Sequence, residues 1–320
     1  MPDGTGTADG TEAVLCGRLT AALDPRGAGR PVLLLVEGAA GTGKSRLVER
    51  LGEAVARSVR RTADGGAPAG AGPGLLVVED VHRAPADETA RLRALLADPP
   101  SRLACVLSYR PEELPAPGLV LGPDTDFPAS LLVVRHVLGP LGVAEVHRMA
   151  VAALGAGRCA PGLAAALHHA SGGVAQTVAD LLDLLAAEQP PFDLDRLGPP
   201  ARLGTLTLRR TAAVAEEHRR IVLAAAVLDE PATSHDLGVV AGLPGRAGAD
   251  ALSAALRAAA LEERGDGRYG FGSPLAAAAV RRAADGPTRE ALHRRAANLL
   301  ARRQPVPWER VAVHRRACGD

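Results

Sequence analysis

Aromatic side chains make up only 2% of this 320-residue chain, so its cores must be packed from Leu, Val and Ala. Lysine is scarcer still: Lys44 is the only one, against 36 arginines. The Ala and Arg enrichment resembles the composition of a GC-rich genome, a background bias that takes weight from Ala-rich and Arg-rich runs. The four cysteines, Cys16, Cys105, Cys159 and Cys318, form no CxxC or Cys/His ligand spacing. That argues against a zinc site or a disulfide framework and for a reduced, cytoplasmic protein. His168 and His169 are adjacent, and on a helix their side chains would point about 100° apart, a poor fit for one ion. No apolar run reaches the roughly 18 residues of a membrane span. The opening "MPDGTGTADGTE" is polar and acidic, unlike a signal peptide, and predicts disorder over residues 1–12. Net charge is −5 over residues 1–200 and +6 over 201–320. A difference of that size permits a polyanion contact without arguing for one.

The first half alternates strand and helix signals. "PVLLLVEG", "GLLVVED", "RLACVLSYRPEEL" and "SLLVVRHVL" are short apolar runs of the kind buried on both faces of a parallel sheet. Leu47, Val48, Leu51 and Val55 recur at helical spacing, and "DETARLRALLADPP" reads as a helix stopped by proline. The pattern predicts an α/β core over 13–138, a parallel sheet flanked by helices, with Gly/Pro-rich loops at 61–74 and 114–130. From 139 only helices are predicted: Val143–Leu154, Pro161–Ala170 and Val174–Glu188, then a proline-rich linker at 189–200. Helices at about 214–227, 234–242 and 247–260 precede "LEERGDGRYGFGSP", a hairpin signal, so 200–285 reads as a winged helix. A helical tail fills 286–320.

The chemistry is concentrated in Gly38-Ala39-Ala40-Gly41-Thr42-Gly43-Lys44-Ser45-Arg46, which matches the phosphate-binding loop G-x-x-x-x-G-K-[ST]. Glycines let the backbone turn its N–H groups onto one concave face, and the helix that follows aims its positive end at the phosphates. Lysine supplies a slim ammonium able to reach the β- and γ-phosphates, where the planar fork of arginine does not fit. The Ser45 hydroxyl is placed to meet Mg²⁺. A chain that uses arginine for every other positive charge thus keeps its one lysine in a phosphate cradle.

A phosphate loop calls for a second, acidic strand end. Leu75–Val78 carries Glu79 and Asp80 to the carboxyl edge of the sheet, where ligands bind in open α/β sheets. One carboxylate can coordinate Mg²⁺, usually through water, and the other can polarise the attacking water. Sequence does not settle which does which; by position Glu79 is given to the metal and Asp80 to the water. Arg110 ends the next strand, and reads either as a sensor of γ-phosphate charge or as a surface arginine before Pro111. A guanine-specifying Asn-Lys-x-Asp motif cannot exist here, because the only lysine already serves the loop.

Together these residues resemble the ATPase module of the large ATP-binding regulators of the LuxR family, signal-transducing P-loop ATPases related to the AAA+ class. The similarity runs through "GRPVLLLVEGAAGTGKSRLVERL", "LLVVEDVHRA", "VLSYRPEEL" and "VRHVLGPLGVAEVHRM". It continues through "ASGGVAQTVADLLDLL", where Val174 and Ala175 replace the family's Asn-Pro, and "RYGFGSP", where Ser273 replaces a histidine. The resemblance implies a helical lid over 139–190, an internal winged helix, and, in "VPWERVAVHRRACGD", the start of a tetratricopeptide-like region. Only about 30 residues separate Ser45 from Leu75, fewer than the family has, which suggests that one strand-helix unit is trimmed. The chain stops at Asp320 without the family's C-terminal helix-turn-helix, so direct DNA binding is not expected. The resemblance implies a slow, Mg²⁺-dependent ATPase acting as a regulatory switch, with ATP or ADP and other protein subunits or a regulator as partners and no membrane. Two other readings stay open: a degenerate nucleotide-binding scaffold, and a P-loop kinase or ATPase with a separate substrate.

Overall fold

The computed structural model describes residues 8–24, 29–63, 75–114, 126–194 and 196–319, with side chains described from residue 11 of the first helix and up to residue 56 of the second. The predicted loops at 61–74 and 114–130 lie largely outside the described residues. The chain divides into two compact units, Met1–Gly139 and Pro140–Asp320.

The first unit contains α1 (Ala8–Leu23), β1 (Val32–Glu37), α2 (Lys44–Ala63), β2 (Leu75–Val78), α3 (Ala86–Ala97), β3 (Ala104–Tyr109) and β4 (Leu132–Val137). Its four strands form a parallel sheet in the order β2-β3-β1-β4. The apolar runs are continuous because both faces are covered. Val32, Leu34 and Val36 of β1 pack with α1 and α2, while Leu33 and Leu35 face the side that holds Leu92 and Leu96 of α3. That alternation is the two-residue period of a strand applied to two helical layers. From β1 the chain passes through α2 to β2, leaves one position that β3 then fills, and places β4 on the other side of β1. The connection after β1 runs one way, to β2, and the connection after β3 runs the other way, to β4, so a crevice opens at the carboxyl ends of the adjacent strands β1 and β3. Among the described residues, α2 alone stands between β1 and β2.

The expected disorder over 1–12 is corrected from Ala8 onward, where α1 begins; residues 1–7 lie outside the described residues. Leu15, Leu19, Ala22 and Leu23 recur at helical spacing and are buried against α2 and the sheet. The polar start of this helix conceals an apolar stripe that begins only at its second turn.

In the second unit, α4 (Val143–Leu154), α5 (Leu163–Ser171) and α6 (Ala175–Ala186) share a core of Val146, Leu167, Val178, Leu181 and Leu185. The helix α7 (Ala201–Ala213) follows, and was not foreseen. The single helix expected at 214–227 instead begins later, as α8 (Arg219–Leu228), because Val214 is extended and buried and a tight turn occupies Glu216–His218. Next come β5 (Ala232–Thr233), α9 (Ser234–Ala241), α10 (Arg246–Arg257), β6 (Glu262–Glu263) and β7 (Arg268–Gly270). The three short strands pair antiparallel in the order β5-β7-β6. The Gly-Asp-Gly turn works as expected: Gly265, Asp266 and Gly267 all have positive φ, which closes the hairpin. Helices α11 (Pro274–Ala283), α12 (Gly286–Leu300) and α13 (Trp308–Ala317) complete the unit.

Helices α12 and α13 are joined by a histidine pair. His293 Nδ1 lies 2.8 Å from His314 Nδ1. One ring must donate and the other accept, so the contact needs at least one neutral ring. Burial, then the His293 ring and Arg310, push His314 down to about 4; burial, Arg281 and Arg289 push His293 the same way. Asp229 and Glu230 line the same cavity, but are paired with Arg281 and with Arg303 and Arg310. A histidine with a depressed folded value stabilises the fold fully above its unfolded value of about 6.5, and loses that contribution as pH falls toward 4. We expect His314 to withdraw about 2 kcal/mol by pH 5 and about 3 kcal/mol once the group is fully protonated. Amide exchange within α13, compared at pH 7 and 5, reads this directly. His314→Gln should flatten the pH dependence, and an unchanged dependence in that variant would assign it to other groups.

Candidate functional site

Strand β1 ends at Glu37, and the chain turns through Gly38–Gly43 into α2. Gly41 and Gly43 have φ of 80° and 98°, in the left-handed region that a side chain resists. Gly38 is required for a different reason. A Cβ there would lie 2.6 Å from Thr42 Oγ1 and 2.8 Å from the Leu138 carbonyl oxygen. Thr42 is itself buried and its hydroxyl donates to the Ala39 carbonyl at 2.9 Å. The loop is therefore tightly wound at its base and open toward its helix.

That helix begins at Lys44 with no acidic residue in its first turn. Among the described residues, the N–H groups of Lys44, Ser45 and Arg46 donate to no backbone carbonyl; the first intrahelical donor is Leu47, bonded to Gly43 at 3.0 Å. Unpaired donors and an uncompensated helix dipole suit an anion. Lys44 is 6% exposed, and its Nζ donates to the carbonyls of Gly38 at 2.6 Å and Ala39 at 2.9 Å. Burial holds its pKa below the ordinary lysine value, Arg110 pushes the same way, and Glu112, Asp80 and Glu113 pull back. Ser45, Arg46 and Ala39 are exposed on the loop, with Ala40 half-buried.

Asp80 and Arg110 are both among the charges that act on Lys44. Glu79 is exposed and is not among the charges that act most strongly on Lys44. Asp80 adopts a left-handed backbone, φ 51° and ψ 43°, and its N–H donates to Ser108 Oγ on β3 at 3.3 Å. Such a conformation costs about 1 kcal/mol or more in a residue with a side chain, Asp and Asn paying least. It ties the acidic turn to the neighbouring strand.

Three groups were not singled out from the sequence. His82 is buried in the turn Val81–Arg83, where its Nδ1 accepts the Arg110 backbone N–H at 3.4 Å and its Nε2 lies 3.3 Å from Glu113 Oε2. Burial lowers its pKa against the pull of Asp80 and Glu113. Glu113 also accepts from Arg110 Nη1 at 2.6 Å and from Arg83 Nη2 at 3.2 Å. Burial pushes the Glu113 carboxyl up, but the hydrogen bonds and charges of the two arginines outweigh it and hold the group below the ordinary value. The third group knits the strand ends. Tyr109 donates its hydroxyl to the Glu37 carboxylate, and Arg135 Nη1 reaches Glu37 at 2.7 Å and the Tyr109 oxygen at 3.2 Å. Glu37 and Tyr109 are register partners on β1 and β3, so this network fixes the sheet edge beside the loop. Only the Arg110–Glu113 spacing, across a turn opened by Pro111, was readable in advance.

A nucleotide triphosphate with Mg²⁺ fits these residues. The unpaired N–H groups, the buried ammonium and the glycine cradle suit phosphate oxygens, and the exposed Ser45 hydroxyl suits a hard cation. Among the described residues no three His, Cys, Asp or Glu side chains gather to hold a metal alone. Magnesium needs no such cage where phosphate and water supply most of its ligands. No helix among the described residues is long and apolar enough to cross a membrane. In comparison with known proteins, no family model and no curated protein matches the chain.

Proposed function

We propose that this chain binds Mg-ATP at Gly38–Arg46 and hydrolyses it slowly, as a regulatory switch. The observation that carries the reading is Lys44, a buried ammonium at the start of a helix whose first-turn N–H groups have no backbone partner. In this reading the loop N–H groups and Lys44 hold the phosphates. The hydroxyl of Ser45 and the carboxylate of Asp80 hold Mg²⁺ and order the attacking water, with Glu79 at the rim. Bound Mg²⁺ would draw charge from the transferred phosphoryl group. Arg110 would meet the γ-phosphate.

The regulatory role rests on the resemblance to the LuxR-family regulators. It is supported by the three-helix cluster α4–α6, which suits a lid, and by α8–α10 with the hairpin β6–β7, which suit a winged helix. ATP and ADP are the proposed ligands and other protein subunits the proposed recipients of the signal. The scaffold alternative is favoured by one feature: Lys44 is already satisfied by two loop carbonyls, so phosphate must compete for it. Calorimetric titration of the full chain with ATP, with and without Mg²⁺, decides between them. We expect saturable one-to-one binding that Mg²⁺ tightens. Absence of heat and of any thermal shift at millimolar nucleotide would leave the scaffold.

A further inference from the structure

We propose that Glu113 is a gate on the phosphate site, a carboxylate that holds Arg110 and yields it only to a terminal phosphate. The proposal rests on the Mg-ATP reading and adds to it how the site tells ATP from ADP.

Arg110 is folded back on its own turn. Its Nη1 donates to Glu113 Oε1 at 2.6 Å, and its side chain is 15% exposed. Its Nε is buried and has no hydrogen-bond partner. A guanidinium presents a planar fork and is best satisfied by two parallel bonds to one oxyanion. Here Glu113 holds Nη1 and Nε has no partner, so neither edge of the guanidinium, Nη1 with Nη2 or Nε with Nη2, is filled by one oxyanion. A terminal phosphate seated end-on across Nη1 and Nη2 needs the arm that Glu113 holds, and Arg110 already acts on Lys44 of the phosphate loop. The carboxylate and a terminal phosphate therefore compete for the same fork.

Glu113 is well placed to let go. Its other oxygen faces Arg83 Nη2 at 3.2 Å and His82 Nε2 at 3.3 Å. When Arg110 leaves, the Arg83 hydrogen bond remains, and the carboxylate is not stranded. The same contacts join the two acidic elements: His82 Nε2 also lies 3.9 Å from Asp80 Oδ1, and its Nδ1 takes the Arg110 N–H. One carboxylate thus touches the turn after β2 and the turn after β3. ADP brings no group for Arg110 to reach in exchange, so Glu113 keeps it. The gate sets the difference between the two nucleotides rather than the affinity for both.

The test is a set of ATP and ADP affinities on the full chain for wild type, Glu113→Gln, Arg110→Ala and the double variant. Glu113→Gln keeps the size and removes the charge. It should tighten ATP about 10-fold, the size of one weakened charged contact, and leave ADP within about twofold. In the Arg110→Ala background the same change should do nothing. Glu113 is a quarter exposed in a surface turn, and Glu113→Ala, with a melt of each variant, guards against a folding effect. Equal shifts for ATP and ADP, or a gain that persists without Arg110, would overturn the gate and leave the ATP site standing. If no folded variant binds either nucleotide, the phosphate-loop reading falls and the gate falls with it.

Discussion

Lys44→Ala should weaken ATP binding on the order of 100-fold or more, and Lys44→Arg should fail nearly as badly. A hydrogen bond from a charged donor is worth about 1.5–3 kcal/mol, and this ammonium is positioned to serve two phosphates at once. It is buried to 6% exposure with Nζ 2.6 and 2.9 Å from two loop carbonyls, a space shaped by a single nitrogen. Burial and Arg110 depress its pKa against the pull of Glu112, Asp80 and Glu113, so a further anion at the loop favours the charged form. Phosphate supplies one. A planar guanidinium would have to replace that compact contact with a fork wider than the loop. The alanine variant leaves the Gly38 and Ala39 carbonyls without their donor, so a melt of each variant accompanies the titration. Calorimetry with ATP reads the loss. If Lys44→Arg bound as well as wild type, the argument from a single lysine among 36 arginines would be wrong.

The features readable in advance are those set by local pattern. Val32–Val36 and Ala104–Leu107 are apolar without interruption because helices cover both sheet faces, and a run of that kind is visible in one dimension. Helix α4 begins after Gly142, whose N–H the Glu145 carboxylate accepts at 2.9 Å, and its predicted bounds match. The glycines of the loop before α2 are legible in the motif, and Gly41 and Gly43 occupy left-handed positions. Where local signals mislead, tertiary packing decides. Helix α1 begins among small polar residues and gains its stability from Leu15, Leu19 and Leu23 against the sheet unit. The break at Val214 follows from burying that side chain, which an uninterrupted helix from α7 to α8 would not allow. Glu113 could not be weighed from sequence, because its three partners come from two turns that only the β2–β3 pairing brings together.

The two carboxylates after β2 invite the second large effect. Asp80→Asn should lower the hydrolysis rate on the order of 100-fold, the usual loss when a positioned base or water ligand is removed. Glu79→Gln should cost only a few-fold. Position after the strand gives Glu79 the metal and Asp80 the water. The geometry gives Asp80 more weight: it is among the charges acting on Lys44, and its backbone is anchored to Ser108. Asparagine is the right probe because it tolerates the left-handed φ of 51° almost as well as aspartate. The Ser108 bond comes from the backbone N–H and is kept, so the variant removes charge without releasing the turn. Alanine would confound the two by adding backbone strain. ATP affinity without Mg²⁺ should change little in Asp80→Asn, since Lys44 and the loop N–H groups carry that binding, while the tightening by Mg²⁺ should shrink. Single-turnover hydrolysis beside calorimetry separates these. A larger loss in Glu79→Gln than in Asp80→Asn would return the principal role to the first carboxylate and place Asp80 as a structural anchor of the turn.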